Sequence, residues 1–182
     1  MSKPGIFLRA LEPEDIDLLY KWENDESVWK VSNTIAPFSK HILRKYLENA
    51  HLDIFEAKQL RLIIDVAGEA GKFKPVGAID LFEFDPFHNR AGIGILIGEA
   101  GERRKGYASA ALDKTIEYAF VTLHLHQLFC NIGEDNPESL KLFEKKGFKV
   151  AGVKKEWLKT KDGYKDVFFM QMINKTEPAP LY

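Results

Sequence analysis

Cysteine is almost absent. Cys130 is the only one, so no internal disulfide can form and a cysteine-rich zinc site is excluded. Charge of one sign is lacking too. The 26 Lys and Arg residues against 27 Asp and Glu residues leave a formal net charge of −1, which argues against a strongly basic nucleic-acid surface. No apolar run approaches membrane-spanning length, and the opening MSKPGIFLRAL lacks the long apolar region of a signal peptide. A cytoplasmic protein with no membrane partner is therefore expected. The five histidines show no metal-ligand spacing, so no metal is expected. Internal repeats and low-complexity blocks are missing as well. What remains is ordinary globular composition, 45% hydrophobic and 29% charged over 182 residues, enough for one domain. That domain is expected over 1–175, with a loose tail over 176–182.

The most informative stretch runs from Arg90 to Phe120. Ile93, Ile95, Leu96 and Ile97 form a short β-branched run closed by Gly98, which predicts a strand. Arg103, Arg104, Lys105 and Gly106 follow, before the helical pattern of Ala108, Ala111, Leu112, Ile116 and Ala119. A helix start carries unpartnered N–H groups and partial positive charge. Gly106 offers a ligand close access to the backbone, and small residues after it keep that access open. A phosphate or pyrophosphate is the natural guest. A solvated basic turn with no ligand has the same composition.

Elsewhere the pattern predicts a strand near Ile6 to Leu11, a helix opening at Pro13, a loop over Glu23 to Ser27, and a second helix capped by Ser39. Strands follow at Leu60 to Val66 and Pro75 to Phe84, with a turn at Gly68 to Gly71 between them. Asp85 to Asn89 then loops into the Ile93 strand. Leu128 to Ile132 reads as a buried strand. Asn136 and Pro137 open another helix, which Gly147 ends. Phe148 to Leu158 and Tyr164 to Ile173 form a closing hairpin around Lys161-Asp162-Gly163. The sum is α+β, with a mixed, mostly antiparallel sheet of about seven strands and about four helices.

Two motifs in this order sharpen the reading. Arg103-x-x-Gly106-x-Ala108, between a strand and a helix, resembles the Q/R-x-x-G-x-G/A signature of the GCN5-related N-acetyltransferases (GNAT). Asn136-x-x-Ser139 followed by Gly147-Phe148 resembles that family's second helix. The likeness spans roughly residues 6 to 174 and implies the acyl-CoA N-acyltransferase fold. It further implies acetyl-CoA as co-substrate. Arg103, Arg104, Lys105, Gly106, Tyr107 and Ala108 would hold the pyrophosphate, and Asn136 and Phe143 would flank pantetheine. The central strand would splay from its neighbour at a bulge near Ile95 to Gly98. There the N–H groups of Leu96 and Ile97 would bond pantetheine and the acetyl oxygen. Phe143 stands where many relatives carry a tyrosine acid and cannot donate a proton. The resemblance implies Ser139 as the substitute donor, and a serine at a helix start that bonds only the backbone explains the same residue equally.

On the acceptor side, Glu83, Asp85 and His88 cluster at a strand end, where a carboxylate or the histidine could take the amine proton, with Glu83 the first candidate for general base. Solvated loop charge explains the same three residues. Glu23 and Glu26, beside Trp22 and Trp29, would suit a cationic amine. A helix-ending polar loop with tryptophans turned inward explains the same residues. The run RLIIDVAGE … IGILIG resembles bacterial spermidine/spermine acetyltransferases and implies a diamine or polyamine acceptor. Phe143 and Ser139 lean toward ribosomal-protein N-terminal acetyltransferases, for which an N-terminal peptide or amino acid is the acceptor. A homodimer or higher homo-oligomer follows by family analogy. A non-catalytic acyl-CoA sensor and a dinucleotide-binding domain are the readings from other classes. The second requires a G-x-G-x-x-G after the first strand, and none is present.

Overall fold

A computed structural model describes residues 4–32, 34–49, 52–68 and 71–175. The expected tail over 176–182 lies outside these residues, as does part of the turn expected at Gly68 to Gly71. The chain opens with β1 (Ile6–Arg9), a 3-10 turn at Pro13–Asp15, α1 (Ile16–Glu23), α2 (Glu26–Ser32), α3 (Lys40–Glu48) and the short α4 (Ile54–Ala57). It continues with β2 (Leu60–Ala67), β3 (Phe73–Asp85), β4 (Arg90–Ile97), α5 (Tyr107–Glu117), β5 (Gln127–Gly133), α6 (Pro137–Lys145), β6 (Lys149–Thr160) and β7 (Gly163–Ile173). The seven strands and their order match the expectation, and α2 and α4 are additional. Glu26 and Ser27, expected in a loop, start α2, so the break after α1 shrinks to Asn24 and Asp25.

Local chemistry explains the helix starts. Ser39 accepts the N–H of Ile42 at 3.2 Å, Asp53 accepts those of Phe55 and Glu56, and Asn136 accepts that of Ser139 at 3.1 Å. Pro137 occupies the first turn of α6, where a missing N–H costs nothing. Gly147 closes that helix at φ +99°, and Phe148 N–H reaches back to the Phe143 carbonyl.

The sheet order is β1-β2-β3-β4-β5-β7-β6. Every pair is antiparallel except β4–β5, whose parallel alignment requires α5 as a crossover. One sheet face packs against α5 and α6 through Ile64, Ile79, Ile93, Leu112, Leu128 and Met170. On the other face Trp22 of α1, 2% exposed, packs with Ile63, Ala78 and Leu96. Ile63 and Ile64 point in opposite directions and both are fully buried, so helices cover β2 on both sides. Burying each such side chain contributes about 1.5–3 kcal/mol. Over β5 and β7 no helix of the described residues covers this second face. Phe82, Phe129 and Phe169 line it instead, with neighbouring ring centroids 6.0 and 5.7 Å apart.

Candidate active site

The site begins where two parallel strands stop pairing. β4 meets β5 only over Arg90–Gly92 against Gln127–Phe129. Beyond this, β4 stays with β3 as far as Ile97, and β5 stays with β7 as far as Gly133. A wedge therefore opens between them, edged by strand N–H and C=O groups that no neighbouring strand takes up.

β4 keeps its register with β3 from Gly92 to Ile97, so no bulge falls between Ile95 and Ile97. Just beyond, the Glu99 N–H bonds the Val76 carbonyl at 3.3 Å, one residue out of that register, so the expected irregularity falls at Gly98. Two further irregularities lie in β3. One adds Val76 opposite Ile64 and Asp65, and the other lies between Phe82 and Asp85. Strand N–H groups alternate sides, so Leu96 and Ile97 cannot both face the wedge. The Leu96 carbonyl lies so close to Gly77 of β3 that a Cβ there would meet it at 2.1 Å. The Ile97 carbonyl accepts from Arg103 Nε at 3.1 Å. Leu96 thus faces β3, and Ile97, with Ile95 two residues earlier, faces the wedge.

The basic bend follows directly. A 3-10 turn at Ala100–Glu102 leads to Arg104 at φ +64° and Gly106 at φ +85°. Only glycine adopts the latter without strain. No side chain caps the start of α5, which leaves the first N–H groups, from Tyr107 onward, available to an anion. The basic side chains are less free than their sequence suggests. Lys105 and Lys74 both bind Glu102 at 2.8 Å, and these bonds hold its carboxyl below the usual range. Arg104 pairs with Glu138 in the first turn of α6. That pair is exposed, so it holds the arginine only weakly. The uncapped amides and Arg103, whose Nε bonds the Ile97 carbonyl, are the groups of the bend that could hold a pyrophosphate.

Asn136 and Ser139 sit at the start of α6, with Ser139 half-buried and the Asn136 side chain occupied by the cap bond. Phe143, expected to flank pantetheine, turns into the core. It is 3% exposed and packs edge-to-face on Phe148 at 5.1 Å. Its position on α6 faces the sheet, where an apolar ring is stabilised and a cofactor has little surface to touch.

The acceptor-side residues separate into two places. A cavity of about 720 Å³ lies on the uncovered sheet face, lined by Lys58, Glu83, Asp85, Arg90, Gln127, Phe129, Asn131, Lys154, Phe169 and Gln171 among others. It reaches the wedge at Phe129 and Asn131, where β4 and β5 part. Glu83 belongs to it, is exposed, and pairs with no other described residue. Asp85 has a structural task. It accepts the His88 N–H at 3.0 Å and pairs with Arg90, which keeps its carboxyl below the usual range. His88 is exposed against Phe87 and does not line the cavity.

Glu23 and Glu26 do not line it either. Glu23 is held by Arg61 at 2.6 Å, and Arg61 also binds Asp80 at 2.6 Å and lies over the Tyr46 ring. Burial opposes that guanidinium charge, but Asp80, Tyr46 and Glu23 outweigh it and raise its pKa. A cation hole therefore exists beside Glu23, and the chain's own arginine fills it. No sequence signal marked this triad. Trp22 and Trp29 also serve structure, with their indole N–H groups on Glu99 and on the Glu23 carbonyl. Among the described residues no cluster of His, Cys, Asp or Glu could hold a metal, and no helix is long and apolar enough to cross a membrane.

A diverging parallel pair, an uncapped basic bend and a neighbouring cavity define an acyl-CoA-dependent acyltransferase. The acetyltransferase (GNAT) domain model matches residues 6–149. The chain belongs to this family and is an acetyl-CoA-dependent N-acetyltransferase. It is 27% identical over 179 residues to the uncharacterized N-acetyltransferase p20 of Bacillus licheniformis, covering 92% of each chain. It is 25% identical to spermidine N(1)-acetyltransferase of Vibrio cholerae over 91% of each. The crystal structure of the Vibrio cholerae spermidine N-acetyltransferase with CoA and spermine shares the fold at TM-score 0.83, with 24% identity, 92% of this chain and 95% of that one.

Proposed function

We propose that the protein transfers the acetyl group of acetyl-CoA to a primary amine of a small cationic molecule of the diamine and polyamine class. One observation carries this: the wedge and the cavity meet at Phe129 and Asn131, and the cavity holds an unpaired carboxylate, Glu83. The spermidine acetyltransferase among its relatives supports the same class. Pyrophosphate rests on the amides from Tyr107 onward, beside Arg103 and Arg104. The acetyl oxygen takes N–H groups from the Ile95–Ile97 edge as negative charge develops.

An alkyl ammonium has a pKa of about 10.4 and must lose a proton before it attacks. Solvent takes that proton, and Glu83 stays ionised to hold the acceptor's second ammonium. The amine nitrogen then attacks the acetyl carbon, the C–S bond breaks, and the proton that the nitrogen loses on becoming an amide passes through the Ser139 hydroxyl to the departing thiolate, leaving Ser139 neutral. Holding both reactants at one wedge removes much of the entropic barrier. A homo-oligomer fits this reading, since a dodecameric form is described for the Vibrio cholerae enzyme. The test is thiol release from acetyl-CoA with amines, polyamines and N-terminal peptides, against a no-amine control. Turnover confined to peptides would reverse the assignment.

A further inference from the structure

The unpaired charges of the cavity do not balance. Among its acids, Asp85 is committed to Arg90 and the His88 N–H, which leaves Glu83 as the one carboxylate without a described partner. Among its bases, Lys58 and Lys154 meet no carboxylate of a described residue. Lys154 Nζ lies instead 5.0 Å from the Trp157 ring centroid and 5.8 Å from that of Phe169. The remaining wall is neutral, with Gln127 and Gln171 bonded to each other at 2.7 Å. The second cation hole, between Glu23 and Asp80, is closed by Arg61.

We propose that Lys154 sets an upper limit on acceptor charge: the cavity takes a short diamine and disfavours triamines and tetraamines. This rests on the small-amine reading above. A diamine presents one neutral, reacting nitrogen and one ammonium, and Glu83 matches that ammonium. Every further ammonium enters a cavity with two unmatched like charges and no carboxylate left. Lys154 also covers the aromatic surface that a ligand ammonium would otherwise use. A longer polyamine would have to displace it.

The experiment compares kcat/KM for putrescine, spermidine, spermine and ornithine at saturating acetyl-CoA. It uses the full chain as wild type, Lys154→Glu and Lys154→Met. The selectivity ratio is taken within each variant, so a smaller folded fraction cancels. The wild type is expected to prefer putrescine over spermine by about tenfold or more, and Lys154→Glu to shift that ratio toward spermine by about tenfold. Lys154→Met falls between, and about 0.5 M salt narrows the wild-type preference. A wild type that prefers spermine overturns the limit, as does a ratio unchanged in both variants. Ornithine outperforming putrescine, and losing that lead in Lys154→Glu, also overturns it, because the lysines would then recruit a carboxylate. Turnover of N-terminal peptides with none of the amines removes the small-amine reading itself.

Discussion

In the proposed function, the bend from Gly98 to Ser109 and the cavity beside Phe129 hold the two halves of one transfer. The bend is a single contiguous run whose donors are backbone amides set out by a 3-10 turn and the start of α5. The cavity takes Lys58, Glu83, Asn131, Lys154 and Gln171 from five separate segments. Its charge depends on which of them the fold leaves unpaired. Backbone geometry can grip a constant ligand across many sequences, whereas side chains from scattered strands can change one by one and retune the acceptor.

Gly106→Val should separate the halves most sharply. Its φ of +85° strains any side chain, and the new group crowds the anion. Acetyl-CoA affinity should fall about 100-fold in calorimetry, with little change in the residual amine KM. Ser139→Ala should lower kcat by about tenfold to a hundredfold at unchanged cofactor affinity. An unaltered kcat would return Ser139 to a helix-start role. Glu83→Gln should raise the putrescine KM by about tenfold and leave that of acetyl-CoA alone. Phe143→Leu should cost about 1–2 kcal/mol in denaturant unfolding without changing kcat per folded molecule. A shift in its acetyl-CoA KM would restore Phe143 to the cofactor side. The smallest effect concerns Cys130, whose thiol burial pushes up to about 12. It should stay silent to a thiol reagent in the native protein and react fully after denaturation.

The fold was legible because its signals are local. Ser39, Asn136, Pro137 and Gly147 act within a turn or two, and β-branched runs mark strands whatever their partners. The two helices missed have short, mixed sequences at Glu26–Ser32 and Ile54–Ala57, where packing outweighs weak propensity. Of the candidate site, the shape of the bend was legible, while of the acceptor-side residues Glu83 and Asp85 line the cavity and Glu23, Glu26 and His88 do not. Glu23 and Glu83 look alike as isolated acids, and only Arg61, distant in sequence, distinguishes the neutralised one from the unpaired one. Phe143 read as a cofactor neighbour by its motif position, yet the rotation of α6 directs its ring into the core.

By itself the sequence determined the element order, the helix caps and the anion-ready bend, since each depends on residues a few positions apart. Tertiary structure alone decided where β4 and β5 part, which of Leu96 and Ile97 faces the wedge, and which charges are already spent. Those outcomes depend on strand register and on ion pairs between segments far apart in the chain, such as Arg61 with Glu23 and with Asp80. Pairing across such separations is a property of the assembled sheet and of no single stretch.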